Sequence, residues 1–272
     1  MKDKVGWFEG SWLSEEELSI PIFNQGLHLG DGIFETILIL NGKPRFLKAH
    51  LTRWNRSAEI LGMNIPPNED FLNPIIQNGI QKISLEENTG LLRINWARKN
   101  EFTQNNNKKL THYFWLELNN YQPSFEVIST MISVDEYRNA NSQISKCKTF
   151  SYIQSLQAKR EARINGFDDA LLLSTNGKIC CGATSNIIVR RNNELITPYL
   201  NTGCLPGIMR EKALSNGILK EAEIDSRPIK NDEWLLINSL SCRPIKLIND
   251  FTLNPFRNVQ SLWTSLLQLD ND

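Results

Sequence analysis

No stretch of this 272-residue chain approaches the roughly 18 consecutive apolar residues that a membrane-crossing helix needs, so no membrane span is expected. The N-terminus, "MKDKVGWFEGSW", also lacks an apolar core long enough for a signal peptide. Net charge is missing too, because 30 Lys and Arg balance 30 Asp and Glu. A neutral chain has no global attraction for nucleic acid or for an anionic membrane, although local basic pockets for small anions remain open. The five cysteines, at 147, 180, 181, 204 and 242, contain no CxxC pair and do not read as a disulfide framework. The three histidines, at 28, 50 and 112, stand too far apart for ligand spacing, so no metal site is expected. Repeats and low-complexity blocks are absent as well. From these absences a soluble, intracellular, cytoplasmic protein is expected.

What is present is a chain long enough for two modest domains. "IFETILIL", 33–40, reads as a strand that turns at Asn41-Gly42 and returns through "KPRF". Residues 45–62 carry Leu47, Leu51, Trp54, Ala58 and Leu61 at helical spacing, with Gly62 as the stop. Residues 91–98 and 111–118 are rich in β-branched and aromatic residues, as strands are. "NNYQPSFE", 119–126, is polar and carries a proline, which suits a linker. Beyond it a helix is expected over 153–165, then short strands "ALLLS", "NIIVR" and "LITP" joined by turns. A second helix is expected over 207–215, and a further strand at "EWLLINSL". The expected domains are a smaller α/β domain, 1–118, and a larger one, 127–272, each with a meandering sheet.

Four features carry possible chemistry. Lys146 and Lys148 stand just ahead of the helical pattern at 153–165. A lysine at such a junction is ordinarily a solvated surface residue. Lys148, however, is followed by alternating bulky residues, Phe150 and Tyr152, and a desolvated lysine loses basicity in the way an amine nucleophile requires. Arg53 lies one residue, about 100°, off the apolar stripe of its helix, which puts it at the edge of the buried face. Pro206-Gly207 precedes a helical run, so the first free N–H groups there would make a site for phosphate. "GATSN", 182–186, is a small, hydroxyl-rich corner suited to a turn or to close backbone approach by a ligand. A lysine, an arginine and an anion-binding helix start are the parts that pyridoxal phosphate needs.

The segments "LGDGIFETILILNGKPRFLKAHLTRW", "KTFSYIQSLQAKREARINGFDDALLL", "GATSNIIV", "LITPYLNTGCLPGIMRE" and "EWLLINSLSCRPI" resemble, in order, those of the class IV (fold type IV) pyridoxal-phosphate aminotransferase family. That family includes branched-chain and D-amino-acid aminotransferases and aminodeoxychorismate lyase. The resemblance implies the two-domain α/β fold of D-amino-acid aminotransferase, pyridoxal 5'-phosphate as cofactor, an active site in the cleft and a homodimer. Residue by residue, it implies that Lys148 forms the Schiff base, with Lys146 on the surface. It implies that Arg53, in "HLTR", the backbone N–H groups of Ile208 and Met209, and the hydroxyl of Ser239 hold the cofactor phosphate. Arg98, in "RINWAR", matches a position that contacts the substrate carboxylate in some members.

One departure stands out. Where the family has a glutamate beside the cofactor's ring nitrogen, "ICCGATSN" places Cys181. A thiol is a weak hydrogen-bond donor and does not hold a pyridinium as a carboxylate does. A second departure is Asn24-Gln25-Gly26, where many members have Asp-Arg-Gly or Asp-Arg-Ala. Transamination leans hardest on a protonated ring, whereas elimination to an aromatic product leans on it less. The short chain, "GIMR" and "NSLSCRPI" are similar to the lyase branch. The leading expectation is therefore 4-amino-4-deoxychorismate lyase in folate biosynthesis. The alternatives are a branched-chain or D-amino-acid aminotransferase, and a low-activity relative that keeps the fold.

Overall fold

The computed structural model describes residues 4–22, 24–99 and 112–270. It divides into two compact units. The first runs through Gln122 and also takes in Cys147–Ser151; the second comprises Pro123–Lys146 and the chain from Tyr152 onward. Lys148 thus belongs to the first unit, not to the 127–272 domain expected from sequence. The cause is backbone pairing. Thr149 bridges Ile33, Phe34 N–H donates to Lys148 O at 3.0 Å, and Phe150 N–H donates to Gly32 O at 2.8 Å. No sequence periodicity signals a pairing of three residues with a strand more than a hundred positions earlier.

In chain order the first unit contains β1 (Lys4–Phe8), β2 (Ser11–Leu13), α1 (Gln25–Leu29), β3 (Gly32–Leu40) and β4 (Lys43–Pro44). It continues with α2 (Leu47–Ile60), α3 (Glu69–Lys82), β5 (Thr89–Arg98) and β6 (His112–Asn120). The expected start of the last strand, residue 111, lies outside the described residues. The strands form an antiparallel sheet in the order β2-β1-β6-β5-β3-β4. Strand alternation sends Ile33, Ile37 and Ile39 of β3 and Leu92, Ile94 and Trp96 of β5 into one core. There they meet Leu47, Leu51 and Trp54 of α2 and Leu72, Ile76 and Ile80 of α3. The helix α3 is not among the expected elements, because Pro74 lies inside it. The proline forfeits one helical hydrogen bond, and the burial of three aliphatic side chains on the same face outweighs that loss.

The second unit contains β7 (Ile128–Arg138), α4 (Ile153–Ile164), β8 (Asp169–Ser174), β9 (Ile179–Gly182), β10 (Asn186–Arg191) and β11 (Glu194–Pro198). It ends with α5 (Ile208–Ser215), β12 (Lys220–Ala222), β13 (Glu233–Asn238), β14 (Ser241–Ile248), β15 (Phe251–Thr252) and α6 (Val259–Leu267). Its sheet runs β12-β11-β10-β13-β14-β7-β8-β9, with β15 on β14. This sheet is mixed rather than a meander: β7 is parallel to both β8 and β14, and β11 to β12. A parallel pair needs a long crossover, and α4 is that connection between β7 and β8. No helix among the described residues is long and apolar enough to cross a membrane.

Candidate active site

In the first unit the chemistry gathers around Lys148. Glu35 shares the parity of Ile33 and Ile37 on β3, so it points into the core toward α2 and is fully buried. His50 and Arg53 are three residues apart on α2 and therefore share a face. Both meet the carboxylate. Arg53 donates from Nε to Glu35 Oε1 at 2.8 Å and from Nη2 to Oε2 at 2.6 Å, and His50 Nδ1 lies 2.7 Å from Oε2. Burial alone would raise the Glu35 pKa, but the Arg53 charge, with hydrogen bonds from Arg53 and His50, holds it at about 2. An ionised carboxylate only accepts, so His50 Nδ1 carries the hydrogen. Burial pushes the His50 pKa down against the pull of Glu35, which keeps the ring neutral.

Lys148 is partly exposed as a residue, yet its amine is enclosed. Nζ sits 4.4 Å from the centre of the Phe34 ring, and the Arg93 guanidinium lies 3.8 Å from the same ring. Desolvation first, then the charges of Arg53 and Arg93, lower the Lys148 pKa to about 7 against the opposing pull of Glu35. An amine at that value is partly deprotonated at neutral pH, as a nucleophile must be. Phe34 packs on Phe150 (6.2 Å between centroids) and Phe150 on Trp115 (5.6 Å), so an aromatic shelf flanks the amine. A Cβ on Gly32 would collide with the Phe150 ring, which explains the glycine of "GDGIF".

Arg98 is engaged elsewhere in the same unit. Its Nε donates to Asp31 Oδ2 at 2.8 Å, and its Nη2 donates to the carbonyls of Leu61 and Gly62 at 3.2 and 3.4 Å. Asn24, in the departure at 24–26, caps α1 by accepting from Leu27 N–H at 3.2 Å. Lys146, half-buried, ends a short 3₁₀ turn in the second unit.

In the second unit three expected pieces converge. Gly207 caps α5 and has no side chain to accept from its first turn, so the N–H groups there suit an anion. The side chains of Ile208 and Met209 are buried, 2% and 1% exposed, which anchors that turn. Asn186, from the "GATSN" corner, donates from Nδ2 to Leu205 O at 2.9 Å. Its Oδ1 lies where a Cβ on residue 207 would be, so only glycine fits. Asn238 joins the same corner to the Ser239 turn: Nδ2 donates to Ser185 Oγ at 3.1 Å, and Oδ1 accepts from Leu240 and Ser241 N–H.

Cys181 ends up among thiols and small apolar side chains, with Cys180, Cys204, Ala170 and Ala183 in one buried cluster. Cys180 donates to Thr202 O at 3.3 Å, and burial pushes its thiol pKa up.

Glu35, Arg93 and Asn238 stand in no motif that assigns them a role from sequence, Asn186 enters there only as part of the "GATSN" corner, and His50 only as a rejected metal ligand. The available signal for Glu35 was a lone carboxylate in the apolar run "IFETILIL". For the two asparagines there was only their place beside the hydroxyl-bearing corners.

Comparison with known proteins follows the same lines. The profile of the family described as amino-transferase class IV matches residues 32–248. A protein of Aquifex aeolicus named "Probable branched-chain-amino-acid aminotransferase" is 28% identical over 243 residues, 84% of this chain and 76% of its own length. The aminodeoxychorismate lyase of Bacillus subtilis is 22% identical over 214 residues, 77% of this chain and 72% of its own. The branched-chain aminotransferase of Thermoproteus uzoniensis has a similar fold, with a TM-score of 0.85 at 24% identity over 98% of this chain and 96% of its own. With the profile spanning most of its length, the chain belongs to the class IV aminotransferases, a family of pyridoxal-phosphate-dependent enzymes.

Proposed function

We propose that this enzyme is an aminodeoxychorismate lyase, which splits 4-amino-4-deoxychorismate into 4-aminobenzoate and pyruvate on the route to folate in the cytoplasm. The observation that carries the reading is Cys181 itself, a thiol packed with Cys180 and Cys204 at the position where the family has a glutamate. When bound, pyridoxal phosphate supplies an aldehyde that condenses with the substrate amine and a ring that withdraws electrons. A thiol beside that ring gives weak support to its protonated form. Loss of pyruvate draws its driving force from aromatisation of the substrate's own ring, so it tolerates that weakness better than amino exchange does.

The residues of this chain fit the group. Lys148, partly deprotonated at neutral pH, is the amine proposed to bind the aldehyde; once released, it takes the proton from the substrate carbon bearing nitrogen. Arg53, fixed by Glu35, is the proposed phosphate partner in the first unit. The N–H groups of Ile208 and Met209 and the hydroxyl of Ser239 are the proposed partners in the second. Arg93 over Phe34, with the shelf of Phe150 and Trp115, supports a flat, carboxylate-bearing substrate. A homodimer belongs to the same proposal, and a monomer by light scattering at micromolar concentration would remove it.

A second reading is an aminotransferase for branched-chain or D-amino acids, which the Aquifex relative's name favours. Two incubations separate the readings, one with aminodeoxychorismate and one with an amino-acid panel plus 2-oxoglutarate. The lyase reading expects 4-aminobenzoate without measurable keto-acid exchange. Brisk transamination would overturn it, and silence in both would identify a low-activity relative.

A further inference from the structure

Three side chains act on the Lys148 amine, one from each of three elements: Glu35 from β3, Arg53 from α2 and Arg93 from β5. Two of them are cationic guanidiniums and Glu35 is the single acid, itself held by the neutral imidazole of His50. It is also the least replaceable in geometry. Glu35 holds Arg53 through two parallel hydrogen bonds, the arrangement that fixes the plane of a guanidinium and not merely its position. Its own rotation is fixed by His50, which donates to one of the same two oxygens. The preceding residue on the strand, Phe34, donates its backbone N–H to Lys148 O and carries the Lys148 amine over its ring. One short piece of β3 therefore sets both the arginine and the lysine.

We propose that Glu35 is a positioning residue for the reaction: it aims the Arg53 guanidinium, and its charge opposes the two arginines at the Lys148 amine. The idea rests on the reading of Lys148 as the cofactor-binding lysine. Without Glu35, the amine would stand against two uncompensated cations in a desolvated setting and would shed its proton at lower pH. Without Arg53, the same amine would hold its proton to higher pH. A purely structural Glu35, present only so that Arg53 can be buried, would change the melting temperature and leave the Lys148 titration where it is.

The test uses the full-length chain freed of cofactor, in which reductive methylation of Lys148 is followed against pH by mass spectrometry. Glu35→Gln should move the midpoint down by about one pH unit, a tenfold change in the neutral fraction. Arg53→Gln should move it up by a comparable amount. Both variants, reloaded, should bind pyridoxal phosphate roughly tenfold or more weakly. A folded Glu35→Gln protein with an unmoved midpoint, or one shifted in the same direction as Arg53→Gln, overturns the proposal. If Glu35→Gln does not fold, the double variant Glu35→Met/Arg53→Met removes both charges together. Its midpoint should fall between those of the parent and of Arg53→Gln; a midpoint equal to that of Arg53→Gln would mean that Glu35 contributes nothing. Failure of borohydride to trap pyridoxal phosphate on Lys148 in the parent would sink the cofactor assignment, while the methylation midpoints still decide the role of Glu35.

Discussion

The two units carry their candidate binding groups in opposite ways. The first buries formal charge: Glu35, Arg53 and the enclosed amine of Lys148 lie in one network with neutral His50. The second offers a helix start and hydroxyl-bearing turns, held by the amide side chains of Asn186 and Asn238, and beside them a buried cluster of cysteines and small apolar side chains. Buried charges stand only as partners, so removing one leaves the other stranded and costly. A backbone-built cradle depends instead on shape, so the residues to watch there are a glycine and two asparagines. The first unit should therefore be brittle to loss of charge and the second brittle to added bulk.

Lys148→Ala should produce the largest effect. Borohydride trapping of pyridoxal phosphate should vanish, while Lys146→Ala should trap as the parent does; the reverse pattern would move the site. Next comes Glu35→Leu, which strands the Arg53 charge in the core and should cost about 3–5 kcal/mol in denaturant unfolding. The same carboxylate makes a pH prediction. Its pKa is depressed from 4.5 to about 2, so its contribution is complete above pH 4.5 and is lost as pH falls toward 2. The parent should lose on the order of 3 kcal/mol across that window, and Glu35→Gln should lose visibly less. A parent whose stability is flat from pH 4.5 to 2 would contradict the charged network.

Gly207→Ala tests the other unit. The new methyl must displace Asn186 Oδ1 and disturb the hydrogen bond to Leu205 O, at a cost of roughly 1–3 kcal/mol, with weaker cofactor binding by calorimetry. The smallest effect belongs to Cys181→Ala. Removing one sulfur from this buried cluster should cost about 1 kcal/mol by thermal unfolding. A loss as large as that of Glu35→Leu would mean that the two units do not differ in the way described.

Much of the fold was legible because periodicity is local. The helix α2 with its closing Gly62, the Asn41-Gly42 turn and the strands of "ALLLS" and "NIIVR" follow from spacing and turn chemistry alone, as does that of "EWLLINSL", which ends two residues early at Asn238. The helix α3 was not legible, since Pro74 argues against it locally and only packing argues for it. Lys148, Arg53 and the helix start at Gly207 could be picked out because their neighbours in sequence already hinted at desolvation or at free N–H groups. Glu35 and Arg93 could not, because their importance lies in partners 15 to 18 residues away or on an adjoining strand.

By itself, the order of residues determined many of the elements, the family resemblance and the chemical types that a pyridoxal-phosphate enzyme needs. It also showed that position 181 is a thiol. Only the tertiary structure decided that residues 147–151 pair with β3 and join the first unit. It alone decided that one carboxylate serves both Arg53 and His50, and that Arg98 is tied to Asp31. The physical reason is range. Helix and turn preferences act within a few residues, whereas desolvation and ion pairing depend on which distant segments share a core, and that is settled only when the strands come into register.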